Sequence, residues 1–192
     1  MDKLDIESHP FEPFLPRHAK VLMLGSFPPP RNRWAMEFYY PNKTNDMWRI
    51  LGIVFFGDKG KFLTTSGYDE AAIRRFAGDF GIALYDSAVE IRRGKGNASD
   101  KFLEVVKPVD LNGILSQLPD CRNVVTTGEK AAGIIAGLTG TKVPATNDAV
   151  CFDMNGERYF HHRMVSSSRA YPLAVEKKAV AYDKLFRQIG LK

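Results

Sequence analysis

The stretch VLMLGSFPPPRNRWAMEFYYPNKTNDMW, Val21 through Trp48, decides how the chain is read. Residues 21–24 form a short, unalternating apolar run closed by Gly25, the pattern of a strand buried on both faces. Pro28, Pro29 and Pro30 then remove three backbone donors and stiffen the exit. Thr44, Asn45 and Asp46 are good helix-starting residues, and Met47, Trp48, Ile50, Leu51 and Val54 follow at helical spacing. In an α/β sheet, ligands sit beyond the carboxyl ends of parallel strands, in a crevice built from loops such as this one. Charge and aromatic rings coincide here. Arg17, Arg31, Arg33 and Lys43 surround Trp34, Phe38, Tyr39 and Tyr40, a pairing suited to phosphates and stacked bases.

On the amino-terminal side, residues 1–20 carry three prolines and read as an approach segment, too broken for a long regular element. His9, Phe11, Phe14 and His18 either line a groove or pack as a tail. On the carboxyl side, residues 68–80 have the spacing of an amphipathic helix, and residues 82–85 form a second buried strand ending at Asp86. A basic excursion with Arg92, Arg93, Lys95 and Lys101, loosened by Gly94 and Gly96, is either a solvated surface or a phosphate contact. Residues 109–118 look helical, and residues 123–126 form a third strand that breaks at Gly128 into a helix over 129–138. A hairpin is signalled by residues 150–154, the Asn155-Gly156 turn and residues 158–161. A last strand over 163–165, a loop over 166–172 and a helix over 173–189 close the chain. This alternation predicts a three-layer α/β/α sandwich with a central, mainly parallel four-stranded sheet.

With 192 residues, 44% hydrophobic, the chain fits one domain over 1–192, the approach segment packed on it. A formal charge of +5 and a pI near 9.2 favour a polyanionic partner. Cys121 and Cys151 lie far apart, which excludes a disulfide framework or a four-thiolate metal site. His161 and His162 are too few for a metal centre and are either structural or within reach of a leaving base or phosphate. We expect no metal and no cofactor. Acids and prolines stand where a signal peptide needs a basic start, and no run approaches the roughly 20 apolar residues of a membrane span. The expectation is a soluble cytoplasmic protein with no membrane association and no obligate protein partner.

Leu24-Gly25-Ser26-Phe27-Pro28, then Tyr39-Tyr40 and the spaced Asn45 and Trp48, resemble the first motif of the uracil-DNA glycosylase superfamily. The nearest branch is the hypoxanthine-DNA glycosylases. Residues 81–86 are similar to that branch's second strand, residues 128–131 to its third strand-to-helix turn, and Ser166-Ser167-Ser168 to its Ser-rich last motif. The resemblance runs in register over residues 20–191. Pro29 stands where Gly is usual, Asn42-Lys43 replaces His-Pro, Met47 replaces an aromatic residue, and the last motif lacks its leading Pro.

The resemblance implies a monofunctional DNA glycosylase of base-excision repair, hydrolysing the N-glycosidic bond of a deaminated base, uracil or hypoxanthine, flipped out of DNA. It maps the branch's catalytic Asn onto Asn45; the bland alternative is that Asn45 only caps the helix. Cleaving a base from deoxyribose builds positive charge on the sugar and negative charge on the base. The site must therefore stabilise both and place a water beneath the anomeric carbon, a task open to an Asn carbonyl. Asp86 matches a base-reading position: it accepts a base N–H, assists the water or sugar cation, or caps the next turn. Ser26, Phe27, Tyr40 and Tyr85 are the expected base pocket, with Tyr40 the stacking ring and Phe27 either pocket wall or core. Pro28, Pro29, Lys43, Ser166, Ser167, Ser168, Arg169 and Tyr171 are the expected DNA contacts, Arg169 or Tyr171 filling the gap left by the extruded nucleotide. The alternatives are a hydrolase of free nucleosides or nucleotides on the same fold, and a catalytically inactive DNA-binding or lesion-sensing module.

Overall fold

The structure, a computed structural model, describes residues 5–94 and 103–192. At its centre lies β2 (Val21–Gly25), every residue of which is buried. This strand pairs in parallel with β3 (Ile82–Asp86) on one side and β6 (Asn123–Thr127) on the other. A strand flanked on both edges and covered on both faces has no solvent-facing side, which is why its sequence is apolar without alternation. β8 (Glu157–Met164) extends the sheet in parallel beyond β6, and β7 (Asp148–Met154) closes it antiparallel to β8, giving the order β3-β2-β6-β8-β7.

Helices cover both faces, giving the expected three-layer α/β/α architecture. α1 (Met47–Phe56) and α5 (Val175–Gln188) pack together, and α2 (Glu70–Asp79) joins them through aromatic contacts. The Phe55 ring lies 5.1 Å from Phe76 and 5.6 Å from Phe186, so one aromatic residue ties all three helices. α4 (Glu129–Thr139) contacts β6, β7 and β8.

Three differences from the sequence reading have physical causes. Among the described residues the sheet has five strands rather than four, because the returning arm of the hairpin and the final strand are one continuous β8, which brings the other arm, β7, into the sheet. The buried pair His161-His162 looks like a polar break, yet each ring finds one partner inside the sheet, while His161 Nδ1 is buried without one among the described residues. Thr126 Oγ1 donates to the His162 carbonyl, so His161 Nε2–H must donate to Thr126 Oγ1 at 2.9 Å; His162 Nε2 bonds Asn123 Oδ1 at 3.0 Å. Second, β1 (Ile6–Ser8), β4 (Ala88–Arg93) and β5 (Leu103–Pro108) form a small antiparallel sheet where the sequence suggested a basic excursion. Its arginines are paired within that sheet, Arg92 with Glu104 and Arg93 with Glu7. Lys95, Gly96 and Lys101 lie outside the described residues. Third, the expected helix over 109–118 shortens to α3 (Leu111–Leu115), capped by Asp110, whose carboxylate accepts from the Gly113 amide.

The approach segment lies along the outer edge of β3, where Phe14 and Leu84 exchange backbone hydrogen bonds of 3.0 and 2.9 Å. Among the described residues no helix is long and apolar enough to cross a membrane.

Candidate active site

The carboxyl ends of β2, β3, β6 and β8 open into one cavity of about 820 Å³. Three segments wall it: the turn after β2, residues 40–45 before α1, and residues 166–172 after β8. Asp86 and Thr127 stand between them at the ends of β3 and β6. Ser26, Phe27, Pro28, Pro29, Tyr40, Asn45, Asp86, Ser166, Ser167, Ser168, Arg169 and Tyr171 all line this space. Tyr85 and Lys43 do not. Side chains alternate along a strand, so Tyr85 points away from the face that carries Asp86 and packs its ring 4.7 Å from His9. Lys43 is exposed beside the wall, where its carbonyl accepts from Arg49.

Asn45 is fixed by its own helix. Its Oδ1 accepts the Met47 amide at 2.9 Å, which satisfies one orphan donor of the α1 amino terminus and sets the orientation of the side-chain amide. A carbonyl oxygen has two acceptor directions, so this bond leaves one free. Capping and the orientation of a water are therefore compatible at this residue.

Tyr40 sits at φ +52°, a left-handed conformation that costs a non-glycine residue on the order of 1 kcal/mol. The chain before it is held by two bonds: Trp48 Nε1–H donates to the Tyr39 carbonyl at 2.9 Å, and the Tyr39 hydroxyl donates to the Glu12 carbonyl at 2.7 Å. The Tyr40 ring reaches the backbone of Gly25, and its hydroxyl is buried without a hydrogen-bond partner among the described residues. Burial and the neighbouring Asp86 push that hydroxyl well above its ordinary pKa, so it stays neutral. Phe27 serves in two places at once: it lines the cavity and packs in the secondary core with Ala88, Ile91 and Leu103.

Asp86 is 7% exposed. Its Oδ1 lies directly over Gly25, where any Cβ would run into it, so the glycine of the β2 turn is what lets a carboxylate occupy the strand ends. Its Oδ2 bonds His9 Nε2 at 2.9 Å. Burial raises the Asp86 carboxyl above the usual carboxylate range; the hydrogen bond and charge of His9 and the Gly25 backbone pull it back.

Two further residues hold the walls together. Asp46 is buried and receives Arg169 Nε at 2.9 Å on Oδ1 and Lys178 Nζ at 3.2 Å on Oδ2. Lys178 also donates to the Ser168 carbonyl at 2.8 Å. Backbone bonds run alongside, Asp46 N–H to the Ser167 carbonyl and Arg169 N–H to the Thr44 carbonyl. The loop before α1 and the loop after β8 are thereby one stitched rim. Sequence reading weighed Asp46 only as a cap and passed over Lys178. A signal existed: Lys178 falls on the same helical face as Val175 and Tyr182, an inward stripe where a lone cation needs a partner. With its guanidinium on Asp46, Arg169 is committed to the rim, whereas Tyr171 stands 40% exposed at the mouth.

The two central histidines stay outside the cavity. Burial and the neighbouring His162 push His161 down to about 4, so it remains neutral within the sheet. Among the described residues no cluster of three or more His, Cys, Asp or Glu side chains is arranged to hold a metal ion.

No protein-family model matches the sequence, and no curated protein matches it. A solved structure does. The solution NMR structure of a "putative Uracil DNA glycosylase from Methanosarcina acetivorans" superposes with a TM-score of 0.66 at 20% sequence identity, covering 97% of this chain and 99% of that one. The likeness is one of fold.

Proposed function

We propose that the protein is a monofunctional DNA glycosylase that hydrolyses the N-glycosidic bond of a deaminated base, uracil or hypoxanthine, extruded from DNA. One observation carries this reading: a single cavity brings together the Asn45 amide, the Tyr40 ring and the Asp86 carboxylate beneath two loops stitched at Asp46. The fold shared with the glycosylase-described structure and the motif resemblance over residues 20–191 support it.

In this reading the extruded base lies against the Tyr40 ring, with its polar edge toward Asp86. The bond from C1′ to the base nitrogen breaks, its electron pair leaving with the base, while the sugar gains cationic character that the flanking phosphates offset. The free acceptor direction of Asn45 Oδ1 aligns the water that adds to C1′ from the opposite side, and the proton this water sheds to solvent is balanced by the one the base anion takes up. No strong base is needed, because the water meets a carbon already close to a cation. Ser166, Ser167 and Ser168, with the proline turn at Pro28 and Pro29, hold the backbone on either side. Tyr171 fills the gap in the stack, since Arg169 is engaged with Asp46.

The test is a panel of duplex oligonucleotides, each with one uracil, hypoxanthine, xanthine or mismatched thymine, treated with protein and then with alkali to break abasic sites. Strand breakage at uracil or hypoxanthine supports the proposal. Release only from free nucleosides, or salt-sensitive duplex binding with no abasic product, refutes it.

A further inference from the structure

Resting on the glycosylase reading, we infer that His9 of the approach segment is a positioning residue that holds Asp86 by a hydrogen bond from Nε2–H to Oδ2, so that the pocket accepts the lactam N–H of a deaminated base. His9 is absent from the motifs that the resemblance covers, and it stands behind the cavity lining rather than in it. Its side chain is 0% exposed. The ring is enclosed by Phe11, Phe27, Tyr39 and Tyr85 at centroid distances of 5.9, 5.3, 6.2 and 4.7 Å. Its backbone is tied to the small sheet by a 2.7 Å bond from His9 N–H to the Val89 carbonyl.

Both ring nitrogens face oxygen. Nε2 lies 2.9 Å from Asp86 Oδ2, and Nδ1 lies 2.9 Å from the Phe11 carbonyl, closer than its 3.2 Å contact with the Phe11 amide. The Phe11 amide donates to Nδ1, which leaves Nε2–H to donate to Asp86 Oδ2. The other titratable groups facing the pair are the Tyr39, Tyr40 and Tyr85 hydroxyls, each pushed upward by burial and by Asp86, hence neutral. Glu12 acts on Tyr39 and Tyr85 and Arg74 on Tyr39, from further out. Arg93 covers the Phe27 ring at 5.8 Å, on the ring that also packs against His9.

The pairing solves two problems of the proposed chemistry. A lone buried carboxylate would repel the negative charge that grows on a departing base; the Nε2–H donor draws the Asp86 charge toward Oδ2, away from the pocket. It also fixes hydrogen-bond polarity. With Oδ2 occupied by His9, Asp86 offers the pocket Oδ1, an acceptor. Uracil N3–H and hypoxanthine N1–H donate to it, whereas cytosine N3 and adenine N1 present a lone pair and are repelled. The contact thus reads the change that deamination makes to a base edge.

The experiment follows the Asp86 carboxyl carbon by NMR across pH in the wild-type protein, His9→Gln and His9→Phe, with Asp86→Asn to assign the signal. Base release from a uracil or hypoxanthine duplex is measured over the same range. Loss of the His9 donor leaves burial opposed by the Gly25 backbone alone, so the Asp86 midpoint rises, most in His9→Phe and less in His9→Gln, which keeps an N–H donor. The acid limb of base release moves to higher pH with it, and kcat/KM near neutrality falls roughly 10- to 100-fold in His9→Phe, the scale of one hydrogen bond to a charged group. A His9 that only packs the approach segment would lower the melting temperature and leave the midpoint where it was, which overturns the inference. A midpoint that moves while the acid limb stays overturns the base-reading role. If wild-type protein releases no base while the midpoint still moves, the glycosylase proposal falls and the pairing stands.

Discussion

Replacing Lys178 with Met tests whether the rim of the cavity is held by a buried charge rather than by backbone bonds alone. The Lys178 side chain is 0% exposed, with Nζ 3.2 Å from Asp46 Oδ2 and 2.8 Å from the Ser168 carbonyl. Met matches its length and keeps the packing of the stem against the α5 core, so the change isolates the ammonium. Breaking a buried ion pair by removing one partner costs about 3–5 kcal/mol, because the other charge stays buried. Asp46 keeps Arg169 at 2.9 Å, a half-exposed partner, and Arg49 at 3.9 Å, which places the cost at the lower end, about 3 kcal/mol. For a chain of this size that corresponds to a melting temperature lower by roughly 6–12 °C. Urea unfolding at pH 7 gives the free energy directly, and the double variant Asp46→Asn/Lys178→Met should cost less than the sum of the single changes. A loss below about 1 kcal/mol, or strict additivity in the double variant, would refute the view that this pair secures the two loops.

Other consequences concern the pocket and the sheet. Gly25→Ala should displace Asp86, since the new methyl group meets Oδ1, lowering base release far more than it lowers the melting temperature; activity and a thermal melt together decide this. Tyr40→Phe should leave stability and base release close to wild type, because the hydroxyl has no hydrogen-bond partner among the described residues. Tyr40→Ala should weaken lesion binding by about 1–3 kcal/mol, the value of one base stacked on a ring, measured by titration of a lesion duplex. His161 titrates at about 4 when folded and near 6.5 when unfolded, so between those values the unfolded chain binds more protons. Stability should therefore rise as pH climbs from 4 to 6.5, by roughly 2–3 kcal/mol from this residue, and His161→Gln should flatten that slope in urea unfolding series.

Much of the architecture was legible because buried parallel strands leave a plain signature. The apolar run at Val21 and the strand ending at Asp86 are such cases, and their loops converge as the rule for open α/β sheets requires. The continuous β8 was not legible, since its inward histidines are made tolerable by Thr126 and Asn123, partners distant in sequence. The small sheet was hidden for a related reason: the arginines of β4 are neutralised by Glu7 and Glu104 on neighbouring strands, which composition cannot reveal. At the cavity, the residues lining it on the first and last motifs could be named from the sequence. Asp46, Lys178 and His9 could not, because each matters through a partner more than 70 positions away.

The central claim is that an amide at the start of α1 aligns a water for attack on the sugar of a flipped nucleotide. Single-turnover release from a uracil or hypoxanthine duplex by wild type and by Asn45→Ala, with duplex affinity measured alongside, tests it most directly. The account predicts a rate at least about 100-fold lower with affinity nearly unchanged, and a stability loss near 1 kcal/mol from the orphaned Met47 amide. Equal rates in the two proteins would contradict it.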